Sequence, residues 1–182
     1  MFKFSLDLAA MTLAGTLVLQ GGTIVSSLKL PLTSVAVYAA ANRAFLLVRE
    51  ATNSLSIALL PEAAKNHAIG DAPANRRMWV VGTQYANLFL LVVLIPILAF
   101  ASPLLHYWLG INDPILGWVA QILVASMIIN NNHIIAVPIL IGLGKVRVYA
   151  ALHATWAASA LSLGWLLAGP FGPVGVAAGM SV

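Results

Sequence analysis

The sequence predicts an all-α polytopic membrane protein, and its composition and segment lengths indicate this fold class. Hydrophobic residues make up 61% of the 182 residues and charged residues only 8%, whereas a soluble domain carries about 25% charged residues. The mean hydropathy is +0.96. Several apolar stretches reach the roughly 20 residues that a helix needs to cross a bilayer. We therefore expect lipid, not water, to surround most of this surface.

Five apolar stretches are long enough to be spanning helices within a single bundle of residues 1–182. They are residues 5–28, 32–60, 78–101, 114–141 and 146–168. The first exceeds the roughly 7–15 apolar residues of a cleaved signal peptide. Residues 174–182 have the composition of a partial sixth helix, but about nine residues cannot cross a bilayer as a helix. We therefore expect the chain to be a fragment of a longer protein.

The predicted breaks between these helices have the chemistry of turns and helix ends. Pro31 follows Lys29, and residues 61–77 form the longest polar stretch. Residues 102–114 contain aromatic residues, a glycine and two prolines, and residues 142–145 and 169–173 are rich in glycine. Glycine and proline at such positions end helices.

Basic residues predict the orientation, because short cytoplasmic loops carry an excess of Lys and Arg. With a cytoplasmic N-terminus, the outside loops hold only Lys29. The cytoplasmic segments then hold Lys3, Lys65, Arg76, Arg77, Lys145 and Arg147. The sequence therefore predicts a multi-pass membrane protein with its N-terminus in the cytoplasm.

The second predicted helix carries charges that a lipid-facing helix would not tolerate. At about 100° per residue, one narrow arc holds Tyr38, Asn42, Arg49, Asn53 and Ser56, and the arc beside it holds Arg43, Glu50 and Ser54. An arginine facing lipid at mid-bilayer costs at least ~2.5–3.5 kcal/mol. We therefore expect both arginines to face inward, where they would bind an anionic substrate or form a salt bridge with another helix.

Other predicted helices carry polar residues that are candidates for lining a central cavity. Gln20 belongs to a polar stripe on the first helix, Gln84 and Asn87 share a face of the third, and His133 ends the run "NNNH" on the fourth. Substrate sites of transporters lie near the midplane. The structural alternative is hydrogen bonding between helices, which small polar residues commonly provide in membranes. The four histidines show no metal-ligand spacing.

Catalysis finds no support in the sequence. There are no cysteines, no paired carboxylates, no nucleophile next to a base and no Walker-type phosphate loop. We expect neither an enzyme nor a cofactor. The basic residues are scattered and predict no nucleic-acid surface.

Aromatic residues near the predicted interfaces are expected to anchor the protein at the membrane surface. They are Trp79, Tyr107, Trp108 and Trp118.

Several motifs resemble those of a known family. They are "VYAAANRAF" (37–45), "ALLPEAAK" (58–65), "GD" (70–71) followed by Arg76–Arg77, "PLLHYWLG" (103–110), "LIGLGKVRVY" (140–149) and "GPFGPVGVAAG" (169–179). In this order and spacing they look like a polysaccharide or lipid-linked oligosaccharide flippase of the multidrug/oligosaccharidyl-lipid/polysaccharide exporter superfamily. The resemblance covers nearly the whole chain and is greatest to the C-terminal half of such proteins.

The resemblance implies one six-helix bundle of a two-bundle transporter of the cytoplasmic (inner) membrane that works by alternating access. The implied substrate is an anionic, undecaprenyl-pyrophosphate-linked glycan, and the implied partners are a glycan polymerase and glycosyltransferases. Arg43 and Arg49 would attract the headgroup, and Glu50 would balance their charge. Many relatives carry an acid two residues after the glutamine of the first helix, but Gly21 and Gly22 follow Gln20 here, so no role for that acid transfers.

Two alternative functions remain open from the sequence. A multidrug or small-molecule cation antiporter of the same superfamily would need an ion-coupling acid within the membrane, for which Glu50 is the best candidate. A non-transporting membrane scaffold is the other alternative. The polar faces of the helices disfavour a scaffold, because a scaffold has no need of arginines within the membrane.

Overall fold

The structure is a computed structural model that describes residues 2–110 and 113–181, with side chains described for residues 9–54, 56–110 and 113–181. These residues form helices and no strands. The helices are α1 (Phe2–Lys29), α2 (Leu32–Ile57), α3 (Leu60–Ala68), α4 (Ala72–Leu109), α5 (Pro114–Ile134), α6 (Ala136–Gly142) and α7 (Val146–Met180). Some predictions fall outside the described residues. They concern the side chains of Lys3 and Leu55 and residues 111, 112 and 182.

The polar stretch at residues 61–77 is mostly helical, which corrects the prediction of a loop. Pro61 lies in the first turn of α3, where its missing N–H is not needed. Asp71 caps α4, because its side chain accepts a 2.9 Å hydrogen bond from the backbone nitrogen of Ala74. Pro73 occupies the first turn of α4. These residues are signals for helix starts, and only residues 69–71 separate the two helices, with Gly70 in a left-handed conformation.

Helix α4 continues past its predicted end at residue 101 but bends there. Phe100 departs from helical geometry (φ −121°, ψ 22°). Pro103 cannot donate to the carbonyl four residues earlier and its ring presses on that carbonyl, so a bend beside residue 99 is expected. The helix then runs to Leu109, and Gly110 ends it in the left-handed conformation.

Helix α7 turns back on itself at Gly172. A straight helix of 35 residues would be about 52 Å long, well beyond the thickness of a bilayer. Gly172 has φ 57° and ψ −140°, a conformation that L side chains rarely adopt. Residues 173–180, here called the return segment, then pack against the preceding arm so closely that a methyl group on Gly179 would overlap the backbone of Gly164. The partial sixth helix is therefore present up to residue 180.

The buried core joins α1, α2, α5 and both arms of α7. Its centre includes Tyr38, Val119, Ala160 and Val176, each nearly or fully buried. Outward-facing residues of α4, such as Leu88, Val92 and Ile95, are apolar and exposed. Apolar side chains on so many outer surfaces are compatible with lipid and not with water. The described residues therefore have the inside–outside pattern of a membrane bundle.

The helix ends gather at two opposite ends of the bundle. At one end, α6 packs on α3, so that a methyl group on Gly142 would touch Ala63 and Ala64. We call this end, formed by residues 58–77 and 135–147, the basic end; it carries Lys65, Arg76, Arg77, Lys145 and Arg147. At the other end, Lys29 Nζ donates a 3.2 Å hydrogen bond to the carbonyl of Trp165. The basic residues are thus segregated as the alternating spans predict.

Four described segments are long and apolar enough to cross a membrane. They are Ala9–Lys29, Ala72–Leu109, Pro114–Gly142 and Val146–Met180. The protein is therefore an all-α polytopic membrane protein. Helix α2, which contains Arg43, Arg49 and Glu50, is not among the four. A spanning role for α2, and with it the count of five spans, stays a prediction.

Candidate functional site

Polar side chains of three helices meet inside the bundle around Arg49. We call Arg49 of α2, His133 of α5 and Tyr149, His153 and Trp156 of α7 the arginine–histidine cluster. The three residues of α7 share one helix face because they are spaced by four and three positions. Arg49 interacts electrostatically with Tyr149, His133 and His153, and with the neighbouring Glu50 of its own helix.

The rings of this cluster are tightly packed. The Tyr149 hydroxyl lies 2.7 Å from His153 Nε2. The His133 ring centroid lies 5.8 Å from that of His153 and 5.4 Å from that of Trp156. His153 is only 7% exposed. The sequence could not show this proximity, because His133 and His153 lie on different helices.

Several polar atoms of the cluster have no hydrogen-bond partner among the described residues. They are His133 Nε2, His153 Nδ1 and Trp156 Nε1. The indole nitrogen can only donate, and each imidazole can donate from one of its nitrogens. Buried polar groups are nearly always paired. Of the three, only Trp156 Nε1 must donate and therefore calls for an acceptor, whereas an imidazole nitrogen donates or accepts according to its tautomer.

The Arg49 guanidinium is also unpaired within the described part of the chain. It forms neither an ion pair nor a hydrogen bond there; the described ion pair joins Lys65 to Glu62 at 3.4 Å at the basic end. The alternative of an interhelical salt bridge for Arg49 is therefore absent from the described side chains. A partly buried charge without a partner is unfavourable, so Arg49 favours binding of an anion.

A narrow cavity opens beside Arg49 and Trp156. Its volume is about 20 Å³, enough for about one water molecule. Its polar lining comes from Asn42, Arg49, Ser126, Asn130 and Trp156. Asn42 Nδ2 donates a 3.3 Å hydrogen bond to the Leu19 carbonyl, which fixes the amide between α1 and α2. In this conformation the cavity is closed to anything much larger than a water molecule.

The structure brings only some of the predicted candidates together. Asn42 and Arg49 share the cavity, and His133 lies in the adjoining cluster. Asn53 is partly buried farther along α2, and its carbonyl accepts a hydrogen bond from Ser56. Four other candidates have exposed side chains and line neither the cavity nor the cluster. They are Gln20, Arg43, Glu50 and Gln84.

The inward orientation expected for Arg43 is not found. Asn42 is buried and Arg43, one residue later, is exposed. Successive residues of a helix are turned by about 100°, so a helix that buries the Asn42–Arg49 arc directs Arg43 and Glu50 outward. Of the two neighbouring polar arcs, the structure places only the first inside the bundle.

Asn87 has a clear structural partner. Its Nδ2 donates to Asn132 Oδ1 at 2.9 Å, and its Oδ1 accepts from Asn131 Nδ2 at 2.8 Å. These bonds join α4 to the end of α5, which supports the structural alternative for this residue.

On α1 the hydroxyls of Thr16 and Ser27 donate to carbonyls of their own helix and do not extend toward the cluster.

Sequence reasoning missed several residues of the site. Tyr149 and Trp156 were assigned no site role, and His153 was noted only as a polar residue of its helix. Their spacing on one face of α7 was a visible signal, but only the packing of α7 against α5 and α2 brings them to Arg49.

No protein-family model, curated protein or solved structure matches this chain.

Proposed function

We propose that this protein is part of a transporter that moves a lipid-linked oligosaccharide or polysaccharide precursor across the cytoplasmic membrane by alternating access. The motif resemblance supplies the substrate class. The unpaired Arg49 guanidinium inside the bundle is the observation that carries the proposal. It lies where an anionic headgroup would meet it.

The surrounding side chains favour an anion over a cation. The lining of the cavity contains Arg49 and no carboxylate. The unpaired Trp156 Nε1 can only donate a hydrogen bond. Phosphate oxygens are acceptors that pair well with a guanidinium. A pyrophosphate group would therefore satisfy both the charge of Arg49 and the neighbouring donors.

The cation antiporter has weaker support. It would need an acid that the coupling ion reaches within the bundle, and Glu50 was the best candidate. The Glu50 side chain is exposed on the outer arc of α2 and does not line the cavity. The site around Arg49 would repel a cation.

The proposal requires the cavity to open during transport. A volume of about 20 Å³ cannot hold a pyrophosphate headgroup, so the structure corresponds to a closed conformation in this proposal. Opening would separate α2 from α5 and α7, the helices that supply Arg49, His133 and Trp156. The glycan itself would meet residues that become accessible in the open state.

The proposed orientation has the basic end in the cytoplasm and the N-terminus on the same side. Five basic residues lie at that end and Lys29 at the other, as cytoplasmic and outer loops are expected to differ. The precursor would then be loaded from the cytoplasmic leaflet, where glycosyltransferases assemble it, and passed outward to a glycan polymerase.

A substitution in the full-length gene tests this function. We expect Arg49→Gln to lower glycan export about tenfold or more, because a hydrogen bond to a charged group is lost. Lipid-linked precursor would accumulate in the cytoplasmic leaflet. Arg147→Gln removes an equal charge from an exposed position at the basic end and serves as the control.

Surface glycan, lipid-linked precursor and the amount of protein in the membrane are measured for each strain. The control should match the wild type in all three. Normal glycan export by the Arg49→Gln strain, with normal protein abundance, would contradict the proposal.

A further inference from the structure

A groove at the basic end is far larger than the cavity beside Arg49. Its volume is about 600 Å³, within the range of roughly 300–1,000 Å³ found for small-molecule sites. It lies between the start of α4 and helix α6. Its lining residues are His67, Gly70, Ala72, Asn75, Arg76, Trp79, Ala136, Ile139, Leu140 and Leu143.

The walls of the groove divide into an apolar part and a cationic part. Helix α6 contributes Ile139 and Leu140, and Leu143 follows at its end. Arg76 and His67 supply polar groups from the other wall. Asn75 is already engaged, since it accepts from Asn66 Nδ2 and donates to the Ala63 carbonyl, both at 3.3 Å. The polar group free for a ligand is therefore chiefly Arg76.

Arg76 also borders a second depression of about 620 Å³ on an adjoining face of the start of α4. That depression is lined by Ala72, Pro73, Arg76, Arg77, Val80 and Val81. One arginine thus stands between two largely apolar surfaces. This arrangement matches an amphiphile with one charged headgroup and two hydrocarbon chains.

The charge at this end is positive. Residues 58–77 and 135–147 hold five Lys or Arg and two acids, Glu62 and Asp71, a net of +3 with neutral histidines. Both acids are occupied: Glu62 pairs with Lys65, and Asp71 caps α4. Arg76 has no ion pair among the described residues, which leaves its charge for a ligand.

We expect the groove to lie at the membrane surface. It lies where α4 begins and α6 ends, at the boundaries of two segments apolar enough to span. Trp79, on its wall, is 48% exposed, and tryptophan is enriched at membrane interfaces. Basic pockets between membrane helices are a recognised setting for anionic lipid headgroups.

We propose that this groove binds an anionic phospholipid, with its phosphate on Arg76 and an acyl chain along Ile139, Leu140 and Leu143. The second chain follows Val80 and Val81. This lipid is distinct from the transported substrate, because the groove lies at the basic end and does not include Arg49. The inference does not rest on the proposed transport function.

Native mass spectrometry of the full-length protein in detergent tests the proposal, with phosphatidylglycerol and phosphatidylcholine as probes. We expect phosphatidylglycerol to bind more tightly. Arg76→Gln should weaken its binding about tenfold or more, and Leu140→Asn should weaken the binding of both lipids at this site. Arg147→Gln and Val148→Asn, at exposed positions of the same end, are the controls and should bind like the wild type.

Gel filtration and thermal unfolding establish that each variant is folded. Equal binding of the two lipids by the wild type would overturn the proposal. It would also be overturned if Arg147→Gln weakened phosphatidylglycerol as much as Arg76→Gln, since general attraction to the basic end would then account for the binding. Unchanged binding by folded Leu140→Asn would exclude the groove as the acyl-chain site.

Discussion

The Tyr149 hydroxyl lies 2.7 Å from His153 Nε2, one helical turn away on the buried face of α7. This contact fixes the imidazole ring between Tyr149 and Trp156, whose ring centroids lie 4.3 and 5.4 Å from that of His153. It leaves His153 Nδ1 as the unpaired nitrogen. The contact therefore sets the geometry of the arginine–histidine cluster.

Removing that hydroxyl should destabilise the bundle. In Tyr149→Phe the buried His153 Nε2 loses its partner, which costs about 1–3 kcal/mol in the free energy of unfolding. We expect a lower apparent midpoint of thermal unfolding in detergent micelles. Tyr107→Phe is the matched control, since Tyr107 is 92% exposed. Equal midpoints for the two variants would refute a structural role for the contact.

The return segment of α7 should tolerate no side chain at Gly179. A methyl group there would overlap the backbone nitrogen of Gly164, and a backbone atom cannot rotate away as a side chain can. Gly179→Ala is therefore expected to lower the free energy of unfolding by about 1–3 kcal/mol, as overpacking does. At Gly169 an added methyl group would meet nothing within 4 Å, so Gly169→Ala is the control.

The apparent midpoint of thermal unfolding measures both glycine variants. If Gly179→Ala unfolded at the same temperature as Gly169→Ala, the close antiparallel packing of the return segment would be wrong.

Asn87 should contribute to stability more than to transport. Asn87→Ala removes two bonds between α4 and α5. Each such bond in a membrane is worth about 0.6 kcal/mol on average and up to about 1.7, so a total loss of about 1–3 kcal/mol is expected. Gln84→Ala, at an exposed position on α4, should have no such effect. A variant of Asn87 with normal stability but no transport would instead place this residue in substrate binding.

Arg49, unlike Asn87, should contribute to transport more than to stability. Because its guanidinium has no hydrogen bond or close ion pair among the described residues, replacing it with an apolar side chain removes a partly buried charge that only the more distant Glu50 balances. We expect Arg49→Met to unfold at the same temperature as the wild type or at a higher one in the absence of substrate. A fall as large as that of Asn87→Ala would show that Arg49 serves the structure.

The fold could be predicted largely from the sequence because lipid imposes a simple pattern on helices. The start of α2 at residue 32, the start of α5 at Pro114 and that of α7 at Val146 agree with the structure. Pro61, Asp71 and Pro73 were read as breaks although all three are favoured at helix starts. These helical segments were not predicted, because their polar composition differs from that of a membrane-spanning helix.

The candidate site could be predicted only in part. The helical arc of α2 places Asn42 and Arg49 on one face, because the spacing of residues determines which of them share a face. Both line the cavity, and their role in binding substrate stays a prediction. The spacing of residues does not determine which of two adjacent polar faces is buried. For that reason Arg43 and Glu50 were predicted to face the inside of the bundle. His133 and His153 meet only through the packing of α5 on α7, which no local pattern encodes.

Translocation by purified full-length protein in proteoliposomes tests the central claim most directly. The measurement is the rate at which a fluorescent, pyrophosphate-linked lipid sugar moves between leaflets, read from its accessibility to an external quencher. The account predicts transport by the wild type and by Arg147→Gln, and a rate at least about tenfold lower for Arg49→Gln. Transport by Arg49→Gln at the wild-type rate would contradict the role of Arg49 as the site of the anionic headgroup.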